Sequence, residues 1–230
     1  MKPIIGIVSR PLLRDNEVRL DAVNNMSRRS IIKNGGIPIG ILPSQDINYY
    51  DTKAEDLHKL TEEEKEDIIR QIKLCDGLLF QGGNRWYEYD EFILDYAIEH
   101  NIPSLMICMS MQLLNAIDLS KIGKVANREL VDVHNSQEDY VHYVNIKEDS
   151  ILYKILNKNR INVNSMHRYV VKETNACNII ALSDDNIIEA LEYPNKKFIL
   201  GLQWHPEKMI DYDEDENKIL KYFIEQAKSQ

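Results

Sequence analysis

Four short apolar runs alternate with stretches of helical spacing through the first half of this chain: Pro3 to Ser9, Ile37 to Leu42, Asp76 to Gln81 and Ser104 to Ile107. Runs this short and this continuously apolar suit strands covered on both faces, as in a parallel sheet. Between the first two, Asp21 to Lys33 carries Ala22, Met26, Ser30 and Ile31 at helical spacing, and Gly35-Gly36 supplies a stop. Thr61 to Glu64 reads as a capping box that opens a helix running to about Leu74, with Ile68, Ile69 and Ile72 on one face. Tyr89 to His100 puts Phe92, Ile93, Tyr96 and Ala97 in register, and Ser110 to Ala116 opens a further helix just after Cys108. Such alternation predicts an α/β fold with a mainly parallel central sheet covered on both sides.

The second half changes character. Tyr140 to Ile146, Ile161 to Val163, Tyr169 to Lys172, Asn178 to Ser183, Ile187 to Tyr193 and Phe198 to Gln203 read as short strands, with a hairpin turn at Pro194 to Lys196. Asn217 to Ala227 reads as an amphipathic helix with Ile219, Leu220, Phe223 and Ile224 inward. The 230 residues fit one domain over 1–230. Acids outnumber bases, 37 to 28, for a formal net charge of -9, so no basic footprint for nucleic acid is expected. Cys75, Cys108 and Cys177 are too few and wrongly spaced for a disulfide framework or a C-x-x-C metal site. The acidic run Asp211, Asp213, Glu214, Asp215 and Glu216 lacks the glycine of a calcium loop and reads as a charged helix start. The N-terminal apolar run is too short for a signal peptide, and no run reaches membrane-span length, so a cytoplasmic setting is expected.

In parallel sheets ligands bind beyond the carboxyl ends of the strands. Gly82-Gly83 and Cys108 occupy such positions. A thiol between a strand and a helix start faces the positive end of the helix dipole, which favours the nucleophilic thiolate. A buried, inert cysteine is the other reading of that place. The segment Gly201 to Glu207 adds His205 and, two residues on, Glu207. A cysteine nucleophile, a histidine base and a carboxylate that orients it form the minimum set for acyl transfer through a thioester. Gly82-Gly83 allows close backbone approach, and the amides of Gly83 and Met109 are candidate oxyanion donors.

These segments resemble the class I glutamine amidotransferase-like proteins, closest to their gamma-glutamyl hydrolase branch, which includes gamma-glutamyl-GABA hydrolases. The resemblance runs from Pro3 to Ile7 through Lys33 to Pro43, Asp76 to Gly83 and Asn101 to Cys108 with Met111 to Asn115, then Val163 to His167 and Gly201 to Glu207. It implies a flavodoxin-like three-layer sandwich with additional short antiparallel strands in the C-terminal half. It implies a catalytic triad of Cys108, His205 and Glu207, an oxyanion hole at Gly83 and Met109, and Gly82, Gln112 and His167 near the bound gamma-glutamyl group. The chain departs from the family pattern at Gln81, where proline is usual, at Met106 and Ser110, where glycines flank the nucleophile, at Met109, where a basic residue is usual, and at Arg168, where a second histidine is usual. Met106 is expected to crowd the nucleophile turn.

The leading expectation is therefore a cysteine hydrolase that cleaves a gamma-glutamyl amide and releases glutamate and an amine. It needs no metal and no cofactor. The alternatives are a glutaminase subunit that supplies ammonia to a partner synthetase, and a non-catalytic binding protein on the same scaffold. The expected partners are a small-molecule gamma-glutamyl substrate and either a second copy of the chain, as a homodimer, or a synthetase, with no nucleic acid and no membrane.

Overall fold

A computed structural model describes residues 1–14, 18–47, 59–115, 122–124 and 132–228. Its centre is a nine-stranded sheet whose two halves run differently. β1 (Ile4–Val8), β4 (Ile37–Ile41), β5 (Gly77–Phe80), β6 (Ser104–Ile107) and β13 (Ile199–Leu202) form a parallel half in the order β4-β1-β5-β6-β13. β12 (Ile188–Glu192), β11 (Asn178–Ser183), β8 (His142–Ile146) and β9 (Arg160–Val163) continue it antiparallel. The strand expectations thus hold, and β13 is the seam where the direction of pairing changes.

The period-two alternation of the parallel strands feeds two cores. Leu105 and Ile107 of β6 point into one of them, with Ile31 of α1 (Asn25–Lys33), Leu152 and Leu156 of α5 (Ile151–Leu156), and Phe223 and Ile224 of α7 (Glu214–Lys228). Met106 points into the other, with Ile68 and Ile72 of α2 (Glu62–Ile72), Ile93 and Ala97 of α3 (Glu88–Glu99), and Met111 and Leu113 of α4 (Met109–Leu114). Helices therefore cover both faces, giving the expected three layers. Met106 is fully buried in the second core, which takes up the bulk expected to crowd the nucleophile turn.

Local signals explain most element boundaries. Thr61 accepts from the Glu64 amide and Glu64 reaches back to the Thr61 amide, so the capping box of α2 is complete. Two corrections concern the first helix and its approach. The helix starts at Asn25, not Asp21, because the Asn24 side chain caps the Met26 amide at 2.8 Å. Asp21 and Ala22 instead belong to β3 (Val18–Ala22), which pairs antiparallel with β2 (Arg10–Arg14) as a two-stranded ribbon outside the main sheet. β10 (Tyr169–Val171) also leaves the main sheet and pairs with β7 (Ile122–Lys124). Ala116, expected at the end of the helix after Cys108, lies outside the described residues. Among those described, no helix is long and apolar enough to cross a membrane.

The acidic run opens α7 as expected. Asp213 accepts from the Asp215 amide at 2.8 Å, and Asp211 pairs with Arg29 at 3.0 Å. Glu216 turns inward, almost fully buried, and accepts from Nε1 of the fully buried Trp204 at 3.0 Å. Burial pushes its carboxyl from an ordinary 4.5 up to about 8; Asp213 and Asp215 add to the rise while the Trp204 N–H opposes it. Glu216 is thus protonated when folded at pH values where the unfolded chain has ionised it. Its stabilising share is complete below 4.5 and lost as pH rises through about 8. Glu216→Gln keeps an acceptor for Trp204 and removes the titration. Its melting temperature should fall less than the wild-type value between about pH 5 and about pH 9. Parallel pH profiles in thermal melts would refute this.

Candidate active site

The parallel register brings the expected site residues to one edge of the sheet. Phe80 pairs with Met106, so Gly82 and Cys108, each two residues on, emerge side by side. On the other side of β6, Leu202 pairs with Ile107, and the Cys108 amide donates to the Leu202 carbonyl at 2.7 Å. The chain then runs from β13 through Trp204 to His205, and Pro206 starts α6 (Pro206–Met209) at its first position, where a missing N–H costs nothing.

Cys108 has φ 53° and ψ -111°. The other non-glycine residues of positive φ among those described are all asparagines, which tolerate left-handed backbone. A cysteine there costs about 1–3 kcal/mol and persists only where the surroundings enforce it. The Leu202 carbonyl holds its amide, while its own carbonyl accepts from Met111 and Gln112 as α4 begins. This backbone swings the thiol off the strand line toward His205.

The His205 ring lies between its two expected partners. Nδ1 donates to Glu207 Oε1 at 2.7 Å, and the ring and the Cys108 side chain both lie against Gly82. Burial works to lower the imidazole pKa, but the Glu207 carboxylate and Cys108 outweigh it and push it up to about 10. The imidazolium form is therefore strongly favoured beside the sulfur. Gly82 seals this side of the ring: a Cβ there would meet His205 Cε1 at 2.8 Å and Cys108 Cβ at 3.5 Å. Only glycine leaves the imidazole its place.

The amides of Gly83 and Met109 donate to no acceptor among the described residues, as oxyanion donors require. Gln112 is buried rather than on a helix surface; its Nε2 donates to the Tyr169 carbonyl at 2.7 Å and to Gln203 Oε1 at 3.2 Å, and Gln203 Nε2 reaches Cys108 Sγ at 3.6 Å. His167 is held elsewhere, its Nε2 3.3 Å from Nδ1 of His134. Among the described residues, the side chains grouped so that they could hold a metal, His134, His142, His167 and Glu189, gather around it and do not include the triad.

Three side chains support the site in ways that the sequence does not signal. The buried Arg10 guanidinium pairs with buried Asp90, donates to the Gln81 carbonyl at 2.9 Å and reaches Ser110 Oγ at 2.8 Å. Losing one partner of a buried pair costs about 3–5 kcal/mol, so Arg10 fixes the strand ends on either side of the thiol firmly. The Gln81 side chain, at the position where proline is usual, donates to the carbonyls of Val8 and Ala22 and accepts from the Asn24 amide. Asn164 grips His205 from behind, accepting from its amide at 2.9 Å and donating to its carbonyl at 2.8 Å. Arg10, Asn24, Gln81, Gly83, Arg85 and Tyr87 line a cavity of about 590 Å³ that opens beside Gly82.

The Peptidase C26 family model matches residues 87–207, which include Cys108, His205 and Glu207. A protein of Schizosaccharomyces pombe named as a glutamine amidotransferase is 31% identical over 59% of this chain and 55% of its own length. A glutamine amidotransferase-like protein of Rickettsia prowazekii is 26% identical over 91% of this chain and 92% of its own. The chain thus spans little more than half of the first and nearly all of the second. The glutaminase domain of Trypanosoma brucei CTPS with bound acivicin shares the fold, with a TM-score of 0.63 at 19% identity over 99% of this chain and 94% of that one.

The three cysteines are free. Burial pushes the thiols of Cys75 and Cys177 up to about 12, which leaves them protonated and inert at neutral pH. Limiting iodoacetamide should therefore label Cys108 first, as mapped by mass spectrometry. Preferential adducts on Cys75 or Cys177 would remove Cys108 from its role.

Proposed function

The chain belongs to the Peptidase C26 family, and on that premise we propose that it cleaves a gamma-glutamyl amide through a thioester on Cys108. The family and the glutamine amidotransferase-like relatives support a cysteine-dependent amidohydrolase; the gamma-glutamyl specificity is our own reading. The observation that carries it is His205, held by Glu207 at 2.7 Å on one side and facing Cys108 on the other.

In the first half-reaction the Cys108 sulfur attacks the side-chain carbonyl carbon and His205 holds the thiol proton. Charge that develops on the carbonyl oxygen meets the amides of Gly83 and Met109. The C–N bond breaks as His205 passes the proton to the leaving amine. A water then attacks the thioester, gives its proton to His205, and expels glutamate as the sulfur leaves. Glu207 holds the imidazole and balances its charge throughout. The cavity beside Gly82 is large enough for a glutamyl group, and Asn24, Asn25 and Arg85 put polar groups on its wall.

The fold shared with a CTPS glutaminase domain favours one second reading, a glutaminase that feeds ammonia to a synthetase. The two readings separate in one assay. The isolated protein should release glutamate from a panel of gamma-glutamyl amines with neutral, bulky and charged leaving groups, faster than from glutamine, and Cys108→Ala should abolish it. Inertness on the panel, with glutamine hydrolysis appearing once a synthetase from the same cell is added, would replace the hydrolase by the amidotransferase subunit. Inertness throughout would leave a binding protein.

The proton path ranks the two supporting residues. His205 moves protons in both half-reactions, so His205→Asn should cost about 100- to 10,000-fold in kcat/KM. Glu207→Gln should cost less, since an amide oxygen still accepts from Nδ1. A larger loss in Glu207→Gln would reverse these roles.

A further inference from the structure

A second buried polar cluster takes no part in this chemistry. His134 comes from the segment 132–136, His142 from β8, His167 from the β9–β10 connection and Glu189 from β12. One ligand atom from each lies within 4.8 Å of all the others. Their side chains are 0%, 9%, 2% and 0% exposed in that order.

The hydrogen-bond inventory fixes what these rings offer. His134 Nε2 meets the Asp185 carboxylate at 3.0 Å, His142 Nδ1 the Tyr143 carbonyl at 3.3 Å, and His167 Nδ1 the Tyr169 carbonyl at 3.2 Å. Each of those partners can only accept, so each of those nitrogens carries the hydrogen. In a neutral ring the opposite nitrogen is then a lone pair, and all three lone pairs face the Glu189 carboxylate. Acceptors thus point at acceptors. Neither Glu189 oxygen, nor His142 Nε2, has a hydrogen-bond partner among the described residues. A fully buried carboxylate in that condition lacks something that balances it.

The spacing says what would. His134 Nδ1 lies 3.3 Å from His167 Nε2 and 3.4 Å from Glu189 Oε1; His142 Nε2 and His167 Nε2 each lie 3.6 Å from the same oxygen. In a tetrahedral centre with bonds of about 2.0–2.1 Å the ligand atoms stand about 3.3–3.4 Å apart. Three imidazoles exclude calcium and magnesium, which take oxygen ligands. We propose that His134, His142, His167 and Glu189 form a closed structural site for a divalent transition metal, with zinc the best match. Four protein ligands fill the tetrahedron and leave no position for a substrate or water, which separates this site from a catalytic one. Asp185 stands behind His134 as the carboxylate that orients a metal-bound imidazole.

Such a site would join four stretches of chain. It would pin segment 132–136 to segment 164–168, which already meet through His167 N to the His134 carbonyl at 2.6 Å and Ser136 N to the Ser165 carbonyl at 2.8 Å. The second segment carries Asn164, which grips His205. The metal would therefore act on the base as a positioning element.

The test uses the tag-free chain, stripped with a chelator and titrated calorimetrically with zinc. One zinc per chain should bind, and cobalt(II) in its place should give the strong visible absorption of a tetrahedral site. Zinc should raise the melting temperature. Cys108→Ala should keep the full stoichiometry, which excludes zinc held by the catalytic thiol. Asp185→Asn should weaken zinc about 10- to 100-fold. His142→Ala and Glu189→Gln, each checked for folding by circular dichroism, should lose the site and the thermal response; either one that folds suffices. A folded wild-type chain that takes up neither zinc nor cobalt would overturn the proposal and leave a hydrogen-bonded cluster with one protonated ring. Binding that survives in a folded His142→Ala or Glu189→Gln chain, or disappears with Cys108, would overturn it equally.

Discussion

The hydrogen bond from the Cys108 amide to the Leu202 carbonyl is the tie on which the site depends. It extends the pairing of β6 and β13 by one residue, across the point where β6 stops being a strand. Cys108, the proposed nucleophile, and His205, its proposed base, come from opposite sides of this bond. Without it the strained cysteine has no reason to keep a positive φ, and the thiol would follow the strand instead of turning to His205. Gly82 completes the constraint from β5, because a side chain there would take the space of the ring.

Around that tie the departures from the family pattern form a consistent set. The Gln81 carbonyl accepts from Ser110 Oγ as well as from Arg10. The Gln81 side chain holds the inner end of the β2–β3 ribbon to β1, which a proline could not do. Ser110 is small enough for its turn and adds a hydroxyl that the Arg10 guanidinium uses. These residues exchange the rigidity of proline and glycine for a buried polar network, and such a network rigidifies when every member is satisfied.

The parallel half was legible because its signals are local. Apolar runs, a capping box and a cysteine between strand and helix each lie within a few neighbouring residues, and the register of β5, β6 and β13 then brings Gly82, Cys108 and His205 together. The supports were not legible because their partners are remote. Arg10 meets Gln81, Asp90 and Ser110 across 71, 80 and 100 residues, and no periodicity marks such a pairing. The β2–β3 ribbon was missed because Arg10 to Arg14 and Val18 to Ala22 pair with each other and leave Leu12, Val18 and Leu20 exposed, so their apolar residues do not alternate like those of a sheet packed on a core. The helix α5 has a good cap in Ser150, yet at six residues it is too short to stand out by spacing. His134, His142, His167 and Glu189 lie at intervals that match no metal motif, so only the fold gathers them.

The change of direction at β13 also orders assembly in time. The antiparallel half is built largely from near neighbours in sequence: β8 turns through α5 to β9, and β11 leads straight to β12 and on to β13. Pairing β13 with β6 joins Ile199 to Ser104 and must enclose all of that half as one long loop, a step that chain entropy slows. The thiol and its base stand on opposite sides of that closure. No partly folded chain that lacks the seam can bring them together, so the thiol–imidazole pair forms only once β6 and β13 have paired.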